Sequence, residues 1–136
     1  CRDMLAPMPI IGVKGIRYVA KSIPKWADKR GTKVANHYLA QMVRMQEEIG
    51  TGGGGFRFIY AAFLQEASAV LKNDTLYALS KEMTLIGDLW RDFAVNASRV
   101  YKNRSNQTDV YNSLSKELLH IADLEENFYK ALKKAI

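Results

Sequence analysis

The chain has 136 residues, of which 48% are hydrophobic and 25% charged, with three prolines and a net charge of +6. That balance excludes a disordered or fibrous chain, and the length suffices for one domain with its own core. A lone cysteine, Cys1, excludes an internal disulfide framework, and the longest apolar run, 58–64, is far short of the ~20 residues of a membrane helix.

The charge is unevenly placed. Residues 1–45 carry nine Lys/Arg against two Asp/Glu, and residues 46–136 carry eleven against twelve. The basic character therefore belongs to the first third. With no oxidising or membrane signal, a cytoplasmic location is the expectation.

In chain order, Val13, Ile16, Ala20, Ile23 and Ala27 recur at three and four residues and predict an amphipathic helix. Pro24 lacks an amide proton, so a kink or restart is expected at Ile23-Pro24, with Gly31 ending the segment. Thr32 suits the N-cap of a second helix lined by Val34, Tyr38, Met42, Met45 and Ile49 until Gly50 intervenes. From Phe56 to Leu71 the sequence is apolar on most sides, which predicts a third helix that is the buried one.

Asn73-Asp74-Thr75 reads as a cap cluster. It precedes Leu79, Met83, Ile86, Trp90, Phe93, Ala97 and Val100, a heptad-like seam. After the polar stretch 102–109, a last helix places Leu114, Leu118, Ile121, Leu124, Phe128 and Leu132 inward, and Lys130, Lys133 and Lys134 suit its C-terminal dipole. No period-two strand pattern and no repeat occurs. The expected fold is all-α: a compact bundle of about five helices, one domain over 1–136, with a glycine-rich loop between helices two and three.

That loop, Gly50-Thr51-Gly52-Gly53-Gly54-Gly55, satisfies G-x-G-x-x-G, but a helix delivers it where the dinucleotide fingerprint needs a strand. Phe56 stands where a phosphate-binding loop would continue with Lys and Ser or Thr, so neither route to nucleotide binding is expected here. Two readings remain. In one, the glycines gather free amides before helix three and Arg57 adds a cation, making an anion-contacting site. In the other, the loop is a structural corner with Arg57 paired to Glu47 or Glu48.

Glu117-x-x-His120 has the spacing of a di-iron half-motif, but Val34 stands at the matching position before His37 and only Glu66 is offered by helix three. No metal or other cofactor is expected. Cys1 with His37 and Asn36 supplies the residue types of a thiol nucleophile on a terminus that makes a poor support, so no catalytic residue is assigned. Lys14, Arg17, Lys21 and Lys25 share one side of helix one and form a candidate partner-binding face for phosphates or an acidic protein. Without interleaved exposed aromatics, nucleic acid is the weaker partner, and Trp26 and Trp90 read as core.

Residues 49–67, Ile-Gly-Thr-Gly-Gly-Gly-Gly-Phe-Arg-Phe-Ile-Tyr-Ala-Ala-Phe-Leu-Gln-Glu-Ala, resemble the C-terminal domain of butirosin biosynthesis protein H-like proteins. The resemblance extends from about Ile10 to Phe128, through Pro24-x-Trp26 and the Trp90 helix, and its specific part is the glycine loop with the helix that follows. It implies an N-terminal domain resembling cysteine peptidases that carries the catalytic cysteine and histidine, the named member transferring an acyl group from a carrier protein to an aminoglycoside amine. On that footing the chain is the C-terminal part of a longer protein, an accessory domain contacting substrate or carrier and inactive alone. Its expected partners are the N-terminal catalytic-type domain, an acidic carrier protein or a small-molecule substrate, with self-association left open. Gly52, Gly53, Gly54, Gly55, Arg57, Tyr60 and Glu66 form the candidate contact surface. The alternative reading is a non-enzymatic helical interaction module.

Overall fold

The computed structural model describes residues 1–103 and 109–136. The stretch 104–108, which holds most of the expected polar connection, lies outside the described residues. Five helices form: α1 (Gly12–Arg30), α2 (Thr32–Glu47), α3 (Arg57–Leu71), α4 (Asp74–Tyr101) and α5 (Val110–Ala135). No strand occurs among the described residues, and the all-α bundle of five helices stands as expected.

The heptad-like seam makes α4 the axis of the bundle. Leu79, Met83, Ile86, Trp90, Phe93, Ala97 and Val100 are all buried, and α4 packs against α2, α3 and α5. Its start is set by Asn73, whose side chain accepts hydrogen bonds from the amides of Thr75 at 3.0 Å and Leu76 at 3.3 Å, satisfying two donors that have no partner inside the helix. Helix α5 buries the expected Leu114, Leu118, Ile121, Phe128 and Leu132 and, unexpectedly, Glu125. Helix α1 lies between α5 and α2. It runs unbroken through Pro24 with no restart, because the fully buried Ala20 and Ile23 and the ion pairs from Arg17 to α5 hold it before the proline and Trp26 packs on the core after it. The first residues are also held: the amide of Val13 donates to the Met4 carbonyl at 3.0 Å, and Cys1, Met4 and Leu5 pack on the core.

Three further sequence expectations are corrected. The buried face of α2 is Ala35, Leu39, Val43 and Gln46, one residue out of register with the predicted stripe, and Met45 and Ile49 are exposed. Ala35 and Leu39 are fully buried at the centre of that face while Val34 and Tyr38 flank it half-buried, and the cap position falls on Gly31 rather than Thr32. Helix α3 is not the buried helix. Its backbone packs on α4 and on the turn that precedes it, it reaches α5 through the side chains of Arg57 and Tyr60, and it buries Ala61, Leu64 and Ser68 while leaving a row of apolar side chains outward.

Candidate functional site

The glycine loop is a corner in the left-handed region. Gly50, Gly52, Gly53, Gly54 and Gly55 all have positive φ, and Phe56 continues the run at 70° before α3 begins. Glycine is required most clearly at Gly54, where φ is 57° and an added Cβ would stand 2.9 Å from the Phe58 ring. A run of such residues turns its amides toward a common acceptor, the arrangement that binds anions. Here the acceptor belongs to the chain. Glu47 Oε1 receives the Gly54 amide at 3.0 Å, and the hydroxyl of buried Thr51 receives the Gly53 amide at 3.2 Å while donating to the Gln46 carbonyl.

Arg57 is paired neither with Glu47 nor with Glu48. Its Nε and Nη2 donate to the two carboxylate oxygens of Glu125 at 2.7 and 3.1 Å, and Nη1 donates to the Gly55 carbonyl at 2.6 Å. Glu125 is 0% exposed and takes a further hydrogen bond from the Trp90 indole at 2.7 Å, while the guanidinium lies 4.7 Å from the centre of the Trp90 ring. The fork geometry of arginine satisfies both carboxylate oxygens at once, which makes burial of the charge tolerable. Glu47 instead faces Arg91 at 3.8 Å, and Glu48 faces Arg44 at 3.9 Å. Gln46 completes the corner by donating its side-chain amide to the Trp90 carbonyl at 2.7 Å, and its side-chain oxygen Oε1 is buried without a hydrogen-bond partner among the described residues.

Three of the sequence-predicted contact residues converge. Gly55, Arg57 and Tyr60 line a groove of about 290 Å³ together with Met4, Met83 and Tyr129, and Phe56 forms its rim. The groove is mostly apolar. Tyr60 is half-buried there, stacked 6.0 Å from Phe63, and burial pushes its phenol above the ordinary range. Burial, aided by the charge of Glu125, pushes Tyr129 up to about 12. Glu66 stands apart: it is exposed, nine residues beyond Arg57 and so ~13 Å farther along the helix. Gly52 is exposed, and Gly53 and Gly54 are buried in the corner itself.

The basic face of α1 divides. Arg17 is spent on Asp123 and Glu126 of α5, at 2.7 and 2.5 Å, and Lys14 donates to the Pro7 carbonyl at 3.1 Å, whereas Lys21 and Lys25 remain exposed. Among the other residues singled out, Glu117 accepts from Asn96 at 2.9 Å and burial raises its carboxyl, with His120 exposed; Asn36 accepts from the Tyr111 hydroxyl at 2.7 Å.

Sequence reasoning did not find the exposed row on α3. Phe56, Ile59, Phe63, Val70 and Leu71 are 57%, 54%, 59%, 80% and 65% exposed. The 3-4 spacing of Phe56, Ile59, Phe63 and Val70 is that of a packed stripe, so periodicity suggested a buried face without saying what covers it.

No curated protein and no solved structure matches the chain. A family model described as a domain of unknown function, DUF4872, matches residues 1–132, and the chain belongs to that family.

Proposed function

We propose that this chain is the helical accessory domain of a butirosin-H-like acyltransferase or cysteine-peptidase-like protein, not catalytic by itself, and that it docks on the catalytic-type domain through the outer face of α3. The observation that carries the reading is the row Phe56, Ile59, Phe63, Val70 and Leu71, which turns outward from the bundle along a helix whose only charged residues are the paired Arg57 and exposed Glu66. A folded domain rarely gathers this many large apolar side chains on one helix face, here interrupted by Glu66 between Phe63 and Val70, unless something covers them. The resemblance carried by the glycine loop and α3 supplies the partner, since that family joins such a domain to a catalytic one.

The groove of Met4, Phe56, Tyr60, Met83 and Tyr129 opens beside this face. Ligand sites form preferentially between domains, and a partner laid on α3 would roof the groove and convert it into part of a substrate or carrier cleft. The glycine corner then has a mechanical role. Its internal hydrogen bonds to Glu47 and the Arg57–Glu125 pair hold the start of α3 at a fixed angle, so that the docking face is presented rigidly.

The test is calorimetric titration of the chain with the separately produced catalytic-type domain, using wild type and Phe63→Ser. Loss of this half-exposed aromatic anchor should weaken association at least about 30-fold, corresponding to about 2 kcal/mol. The thermal melt should stay almost unchanged. Absent association, or association indifferent to Phe63 and Ile59, refutes the assignment.

A further inference from the structure

At the corner where α1 meets α2, aromatic and cationic side chains at three- and four-residue spacing on α1 are joined by Tyr38 of α2. Tyr18, Lys25, Trp26, Lys29 and Arg30 of α1 and Tyr38 of α2 line a groove of about 380 Å³. Tyr18 is 58% exposed, and Trp26 meets Tyr38 edge to face at 5.4 Å. The Tyr38 hydroxyl accepts from Arg30 Nη1 at 3.1 Å, which orients the guanidinium and leaves its other donors unused. Lys25, Lys29 and Arg30 make no ion pair among the described residues, and no carboxylate lines the groove. Ser22 adds no further donor, because its hydroxyl is committed to the Tyr18 carbonyl at 2.8 Å.

We infer that this groove binds a phosphate monoester carrying a flat ring, of which a nucleoside monophosphate is the simplest natural class. Three uncompensated cations converging on one concavity favour a multiply charged anion, and the fork of Arg30 matches phosphate oxygens two at a time. The exposed ring of Tyr18, with the partly buried Trp26 and Tyr38 beside it, offers a ring-sized ligand a stacking surface that a bare phosphate cannot use. The volume lies within the roughly 300–1,000 Å³ of small-molecule sites and suits one such unit rather than a long chain. The groove shares no residue with the α3 face or the glycine corner, so it stands or falls independently of the proposed docking role. It also relocates the basic site expected from sequence. Of Lys14, Arg17, Lys21 and Lys25, only Lys25 lines the groove, because Arg17 is consumed by α5.

The experiment is calorimetric titration of the full chain with adenosine monophosphate, with adenosine and with inorganic phosphate, alongside Trp26 fluorescence. The expected result is one saturable site for the monophosphate, tighter than for either half alone. Lys25→Glu combined with Lys29→Glu should weaken it at least about 10-fold, and Tyr18→Ala should weaken the monophosphate but not inorganic phosphate. All three side chains are exposed, so melting curves should match wild type and separate lost binding from lost fold. Absence of binding at roughly 1 mM, equal affinity for phosphate alone, or loss caused equally by Lys14→Glu overturns the inference. A single-stranded oligonucleotide that binds far more tightly, with a steep salt dependence, overturns it in favour of a nucleic-acid surface.

Discussion

Replacing Arg57 by methionine tests whether the corner below α3 is held by a buried charge pair or merely decorated by one. The substitution keeps an apolar stem but removes both hydrogen bonds to Glu125, the bond to the Gly55 carbonyl and the cation above Trp90. Glu125 then remains 0% exposed with the Trp90 indole as its one remaining donor. Removing one partner of a buried pair costs about 3–5 kcal/mol, because the charge left behind has neither water nor a counter-ion. For a chain of this length that corresponds to a loss of roughly 10–20 °C in melting temperature. The assay is urea unfolding followed by far-ultraviolet circular dichroism, run on Arg57→Met, Glu125→Met and the double variant. The double variant should be more stable than Arg57→Met, since it removes the stranded carboxylate. A cost below about 1 kcal/mol for Arg57→Met, or additive effects in the double variant, would show that the pair does not hold the corner.

Two further outcomes are accessible on the same material. Tyr129 is raised to about 12, above the ~10 of an unfolded tyrosine, so the stability it confers is complete below about pH 10 and is lost as the pH rises toward 12; Tyr129→Phe should flatten that alkaline limb of the unfolding curve. Asn73→Ala removes the acceptor for two amides at the start of α4 and should cost about 1 kcal/mol, read as a shift in urea midpoint with unchanged slope; no shift would mean that water replaces the cap.

Amino-acid order alone determined the helical class, the number of helices and the identity of the axial helix. A 3-4 alternation sustained from Leu79 to Val100 admits no other buried face, and Asn73 and Gly31 mark ends through local backbone chemistry. Of the candidate contact surface, Gly55, Arg57 and Tyr60 were legible because glycine runs and a following arginine are local signals, and they do line one groove. Only the tertiary structure decided what each charge faces. Arg57 reaches Glu125 across 68 positions and Arg17 reaches Glu126 across 109, separations at which no periodicity links one residue to the other. For the same reason the sequence could not distinguish a central α3 from a peripheral one. Apolar spacing states that a face avoids water, whereas which neighbour covers it depends on how the other helices fill the space around α4. Here they fill the far side, and the face of Phe56, Ile59, Phe63 and Val70 is left outward.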